Sequence, residues 1–319
     1  MPNTKFITLG TAGGPTPKPH RMPPAHAISY DGGTILVDCG EGAFQQLTRA
    51  GFDLRKVRDL FITHHHFDHI GSLFAGLGLN MMMHRDKPLN IYGPPGTCEI
   101  LSHLITACDI PQAIGFGVPG QALPHPRDFI ISRDIQPGDV ANIDNVRVSC
   151  CENTHYRSED QFGQEGPVSL SYRFDAPDRS MVFTGDTGPC LALEHLSMGA
   201  NLLVGELIDA DIVVNRLRAK DPNMSEYALQ KMRQHFTEHH LTPEDLGELA
   251  SRAGVEQVVA THIPFLTKSS SEDAKYASRI SAKFSGNVTI SETWLFIKWR
   301  RGRQSKRNKR PFVNALICD

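Results

Sequence analysis

The chain predicts an α/β fold, one domain with two sheets and outer helices, and three observations carry that prediction. Its segments run strand-rich, helical, strand-rich and helical again. No composition shift or linker separates the halves. Its 319 residues, 40% of them hydrophobic, exceed a typical domain but suit one large core with insertions.

Short apolar runs at 4–9, 26–30 and 33–38 read as strands. "EGAFQQLTRAG" reads as a helix, with Phe44 and Leu47 on one face and Gly51 as its stop. "VRDLFIT" is a buried strand, and "DHIGSLFAGLGLNMMM" continues as an apolar helix whose Met81, Met82 and Met83 read as core or dimer contact. A strand at 89–92 and a helix at 95–108 follow. Residues 110–128 are rich in Pro and Gly without periodicity, the pattern of a structureless lid or binding loop. Strands resume at 129–132, 146–152, 168–174 and 180–184. Strands at 201–205 and 256–261 alternate with helices near 223–237, 242–253 and 271–284.

Seven cysteines at irregular spacing, without a C-x-x-C pair, are no disulfide framework. They read as reduced thiols of a cytoplasmic protein. No secretory signal is read at the N-terminus, and no stretch is long and apolar enough to cross a membrane. The net charge of −2 divides into +7 from Lys298 onward and −9 before it. The basic end, "RRGRQSKRNKR", lacks apolar periodicity and reads as a solvated, disordered tail over 300–319. An acidic body offers no general attraction to nucleic acid.

Four histidines and an aspartate crowd "HHHFDH" at 64–69, just past a strand. Alternation lets His64 and His66 face one point while Asp68 and His69 reach another. Imidazole and carboxylate suit zinc, and also iron or manganese. Three further segments repeat the context of a strand followed by a ligand-type side chain: "CENTHYR" with His155, "MVFTGDTG" with Asp186, and "QVVATHIP" with His262. His65 reads as a spacer. "GTAGG" lacks the spacing of a phosphate loop and reads as a tight turn beside the site. Tyr156, Phe116 and Phe265 neighbour ligands or the expected lid and are candidate substrate contacts.

These residues resemble the metallo-β-lactamase superfamily, whose H-x-H-x-D-H signature is met by His64, His66, Asp68 and His69. "VDCGEG" resembles its first motif, with Asp38 as a structural aspartate. The resemblance runs from about residue 4 to 299 and implies a four-layer αββα sandwich with mixed sheets and two divalent metal ions, zinc first, with manganese or iron as alternatives. His64, His66 and His155 would bind one metal; Asp68, His69 and His262 would bind the other; Asp186 would bridge. Within the superfamily the chain most resembles the tRNase Z and arylsulfatase-like branch. "GELI" with Glu206 and "HHLTPEDLGELA" with His240 resemble that branch's Glu–His pair. Asp68, Glu206 and His240 are thus the candidate catalytic residues, with His240 preferred to His239 as proton donor. A homodimer is implied by the resemblance alone.

Two cations acidify a water held between them, so the expectation is a metal-dependent hydrolase. Its substrate is expected to be a small molecule such as an ester, lactone or sulfate ester. The alternatives are a tRNA 3′-processing endoribonuclease or other phosphodiesterase, and a non-catalytic or redox protein. The tRNA-gripping arm of bacterial tRNase Z enzymes would fall in the interval 156–185, which a loop and two strands already fill. "TPKPHRMPPAH" departs from that family's RNA-side loop, and residues 207–239 look like an added helical cover. Nucleic acid is therefore not expected as a partner.

Overall fold

The structure, a computed structural model, describes residues 4–14, 16–31, 33–156, 166–264 and 270–297. The basic tail and Phe265 lie outside the described residues. One mixed sheet contains β1 (Lys5–Gly10), β2 (Ala25–Tyr30), β3 (Gly33–Val37), β4 (Val57–Phe61), β5 (Leu89–Gly93) and β6 (Ile130–Asp134), with β14 (Phe296–Ile297) beside β1. The other runs in space from β7 (Val140–Ile143) through β8 (Val146–Glu152), β9 (Leu170–Ala176), β10 (Arg179–Phe183), β11 (Leu202–Glu206) and β12 (Gln257–Thr261) to β13 (Asn287–Ile290). β3 to β6 pair in parallel, as do β10 to β13, while β1–β3 and β7–β10 are antiparallel.

The helices are α1 (Ala43–Arg49), α2 (Phe67–Ile70), α3 (Leu73–Met82), α4 (Thr97–Ala107), α5 (Asp109–Ile114), α6 (Pro126–Phe129), α7 (Leu191–Ser197), α8 (Ala210–Lys220), α9 (Glu226–His239), α10 (Pro243–Ala253) and α11 (Ser270–Ser281). Strand alternation sorts the core into three slabs. Ile35 and Val37 of β3 and Leu202 and Val204 of β11 point between the sheets, against Phe61, Tyr172 and Phe174. Leu36 points outward to α1, α3 and α4, where Phe44, Leu47, Leu73 and Leu101 wait. Leu203 points outward to Leu193 of α7, Leu246 and Ala250 of α10, and Tyr276 and Ile280 of α11. The result is the four-layer αββα sandwich. Phe61 anchors its centre, with the Tyr172 and Phe174 rings edge-on at 5.3 and 5.2 Å; truncating so buried a ring costs ~3–5 kcal/mol.

Three differences from the sequence reading have local causes. The segment 110–128 is not structureless: Asp109–Ile114 continues from α4 as a helix, and His125 caps α6. The apolar run after Phe67 is two helices, α2 and α3, separated by Gly71 and Ser72. Residues 207–239 form a hairpin of two helices where the sequence pattern indicated one, because Asp209 caps an additional helix, α8.

Candidate metal centre and cavity

Every candidate ligand follows a strand end; β10 to β12 end together by parallel pairing, and β8 runs the same way as β10 through two antiparallel steps, so these ends share one edge of the sandwich. After β4, Thr63 is pinned by Asp38: its amide donates to Oδ1 at 2.8 Å and its hydroxyl contacts both carboxylate oxygens. His66 precedes α2, whose single turn carries Asp68 and His69 back toward His64. Asp38 Oδ2 lies 2.8 Å from His69 Nδ1, and Thr63 Oγ1 lies 3.0 Å from His64 Nδ1. Such partners fix the ring orientation and leave each Nε2 for the cluster. Asp38 holds φ at 59° and His262 at 51°, left-handed conformations that non-glycine residues sustain only where the surroundings dictate them.

The second sheet supplies the rest. Asn153 is a residue the sequence reading missed. Its Oδ1 accepts from the His155 amide at 3.2 Å, while its Nδ2 donates to Ser171 Oγ at 3.2 Å and to the Thr184 carbonyl at 3.1 Å. One buried amide thus ties the loop bearing His155 to the loop bearing Asp186. An asparagine closing a strand just ahead of a histidine was the available signal. Gly185, at φ 59°, has no room for a Cβ without crowding Thr63 and the Leu170 carbonyl at 3.0 Å. Glu206 ends β11; its Oε1 accepts from the Thr187 amide at 2.5 Å and its Oε2 meets His240 Nδ1 at 2.7 Å. His239 turns to the Thr154 carbonyl at 2.8 Å instead. The capping box of Thr242 and Asp245, with Pro243 in the first turn of α10, fixes the chain just after His240.

These placements bring all seven candidate ligands together. His66 Nδ1 lies 3.1 Å from His64 Nε2 and 3.0 Å from His155 Nε2. Asp186 Oδ2 is 4.0, 3.9 and 3.2 Å from His64, His155 and His262, and its Oδ1 is 3.4 Å from His69. Asp68 Oδ2 lies 3.4 Å from His262 and 3.9 Å from His69. The donor atoms of His64, His66, His155 and Asp186 lie within 4.8 Å of one another, as do those of Asp68, His69 and His262. His65 points away, to Thr97 Oγ1 at 2.8 Å. The Tyr156 ring lies edge-on to the His66 ring and tilted against the His155 ring, each at 5.1 Å. Phe116 faces His84 instead, at 6.4 Å.

The donor set fits divalent cations. Buried His69 Nε2, Asp186 Oδ1 and His262 Nε2 have no hydrogen-bond partner, a cost of ~1–3 kcal/mol each unless something else engages them. Ring nitrogens 3.0–3.1 Å apart suit ligands that each reach a shared ion at ~2.0–2.1 Å. Burial lowers the pKa of His155 to about 3 and holds His64 far below the ordinary range, so both rings keep free lone pairs. Burial also opposes charge on His240, but the Glu206 carboxylate outweighs it and raises that ring to about 9.

Above the cluster lies a cavity of about 580 Å³. His66, Asp68, His155, Asp186, Glu206, His240 and His262 make its floor. Gly13, Gly14, Thr16 and Lys18 form one wall; Val213, Arg216, Leu217 and Lys220 of α8 and His235 and Phe236 of α9 form another. None of residues 110–128 lines it; from that segment Leu123 packs with Phe129 on Met81 instead.

A family model described as a β-lactamase superfamily domain matches residues 33–263. The Ribonuclease Z of Mycobacterium avium (strain 104) is 29% identical over 292 residues, covering 90% of this chain and 95% of its own. Among solved structures, the metallo-β-lactamase fold protein YhfI from Bacillus subtilis superposes with a TM-score of 0.67 at 17% identity, over 93% of this chain and 100% of its own. The short form of human tRNase Z does so with a TM-score of 0.63 at 18% identity, over 92% and 98%. Two of these relatives, named for action on RNA, overturn the expectation of a small-molecule substrate without a nucleic-acid partner and favour the tRNA-processing alternative. The expectation failed because net charge sums every face of the molecule. The walls of the cavity carry Lys18, Arg216 and Lys220, whereas its carboxylates Asp68, Asp186 and Glu206 sit in the floor cluster.

Proposed function

The chain belongs to the β-lactamase superfamily and is a metal-dependent hydrolase; on that premise we propose that it is an endoribonuclease trimming the 3′ end of precursor transfer RNA. The observation that carries this reading is the span of the Ribonuclease Z match, 90% of this chain and 95% of the relative. A cytoplasmic enzyme, working where precursor RNA is handled, is part of the same reading.

In this reading His64, His66 and His155 would hold one divalent cation and Asp68, His69 and His262 a second, with Asp186 available to either group and zinc the first choice. Such cations acidify water and offset charge on a phosphodiester. The chain's own residues do the rest. Asp38, Thr63 and Asn153 hold the rings and loops in place, so no reorganisation is needed when substrate arrives. His240 lies in the cavity floor and carries its proton at neutral pH because Glu206 sits against Nδ1. Its other nitrogen donates a proton to the leaving ribose oxygen. Glu206 fixes the tautomer and stabilises the charged ring.

The test is incubation of the metal-loaded protein with a precursor transfer RNA carrying a 3′ trailer, beside a panel of aryl esters, lactones, sulfate esters and phosphodiesters. Chelator-sensitive removal of the trailer is the expected result. Turnover of a non-phosphate ester with the RNA left intact would overturn the proposal.

A further inference from the structure

Two residues stand between the candidate ligands of 64–69, and they meet different fates. His65 turns away to Thr97 Oγ1 at 2.8 Å. Phe67 lines the cavity, yet it is 79% exposed. Other rings beside the cluster lie against neighbours: Tyr156 against His66 and His155 at 5.1 Å, and Phe236 against His235 at 5.7 Å and His240 at 6.3 Å. Phe67 has no such ring partner among the described residues.

Its backbone is fixed together with the ligands. The His69 amide donates to the His66 carbonyl at 2.9 Å and the Cys39 amide to the His69 carbonyl at 2.8 Å, so the single turn of α2 is tied down. A Cβ at Gly40 would stand 2.2 Å from the Asp68 carbonyl oxygen, so the chain there abuts a glycine. Gly71 lies by the ring edge, where a Cβ would meet Phe67 Cε1 at 3.7 Å. Neighbouring Cα atoms are ~3.8 Å apart, which puts Phe67 one step from a candidate ligand of each group, His66 on one side and Asp68 on the other. A lone exposed phenylalanine elsewhere on a surface needs no explanation. This one borders the floor, so whatever fills the cavity meets its ring. An unpaired nucleotide brings a flat ring of its own, and stacking on aromatic side chains is how proteins hold single strands irrespective of sequence.

We propose that Phe67 is the stacking platform for an unpaired base next to the scissile phosphate. This rests on the ribonuclease reading above and names the residue that distinguishes a nucleotide from any other phosphodiester. The floor receives the phosphate and Phe67 the base attached beside it, so the bond to be cut is located by two contacts instead of one.

The experiment is steady-state cleavage of a precursor transfer RNA by the metal-loaded protein. The intact RNA is compared with two RNAs that each lack one base, at the nucleotide before or after the scissile phosphate. Wild type is compared with Phe67→Leu, which keeps apolar bulk without a flat face, and with Phe67→Tyr, which keeps the face. On intact RNA Phe67→Leu is expected to raise KM about five- to tenfold while Phe67→Tyr stays within about twofold, with kcat and metal content near wild type in both. One of the abasic RNAs is expected to raise the wild-type KM by a similar factor and to be cut equally well by wild type and Phe67→Leu, because the stacking partner is already gone. Three results would overturn the stacking role and leave the ribonuclease reading standing: Phe67→Leu matching wild type on intact RNA or losing metal, Phe67→Tyr as impaired as Phe67→Leu, or the same loss from Phe67→Leu on all three RNAs. Absence of cleavage by wild type would overturn both.

Discussion

At the floor of the cavity, His64, His69 and His155 are buried, and each turns its second ring nitrogen to a fixed partner: Thr63, Asp38 or the His239 carbonyl. At the mouth, Phe67 is 79% exposed and Lys220 stands on a helix built mostly outside the core. The floor is over-determined. Its backbone is held in left-handed conformations at Asp38 and His262, and the ring nitrogens turned away from the cluster are hydrogen-bonded while His69 Nε2 and His262 Nε2 are left for ligands. The mouth is assembled from a helical hairpin, held by Arg218 with Glu226 and Arg233 with Asp211, and from an N-terminal loop.

That contrast is broken most sharply at Asp186, which reaches both groups of histidines. Asp186→Ala is expected to lower RNA cleavage by ~10⁴-fold or more and to reduce bound metal, measured by turnover and elemental analysis; loss of this kind is characteristic of removing the ion that activates the nucleophile. His240→Ala leaves the candidate ligands in place and is expected to cost ~10²–10⁴-fold, the worth of a positioned general acid. It should spare a nitrophenyl phosphodiester, whose leaving group needs no proton. Equal losses on both substrates would make His240 structural.

A smaller effect is expected one residue further back. Glu206 raises the pKa of His240 to about 9, so the ring is protonated below that value and the donor is lost as pH rises through it. Glu206→Gln should therefore move the alkaline limb of the rate profile to lower pH. Asp38→Asn weakens the hold on His69 and is expected to lower metal affinity ~10–100-fold, read by competition with a chromophoric chelator. Mildest is a change at the mouth. Phe67→Ala is expected to raise KM for RNA several-fold, within the ~1–3 kcal/mol that one base stacked on an aromatic ring supplies, and to leave metal content unchanged.

The floor was legible because its signal is local. "HHHFDH" places four donors within six residues, and the strand ends before Gly185 and at Thr261 marked where the distant partners would arrive. The Glu206–His240 pair was placed by the resemblance of "GELI" and "HHLTPEDLGELA" to one branch of the superfamily, not by the local pattern, and the two side chains meet at 2.7 Å. Asn153 was not legible: its role is to join two loops across 31 residues of sequence, and nothing within its own segment announces that. The mouth was misread for a related reason. Helix α8 has a weak apolar pattern, with Ala210 and Val214 its only buried residues, so its cations were summed into an acidic body instead of being placed on a wall. Which face a charge occupies is settled by tertiary packing, and composition does not record it.

The most direct measurement is the initial rate of precursor transfer RNA cleavage by metal-stripped protein as zinc is added back in known equivalents per chain. No cleavage is expected without metal, then a rise on addition and saturation near two equivalents, about one per ligand group, with the trailer released by a single cut. Full activity in the stripped protein, or RNA left intact at saturating zinc, would contradict it.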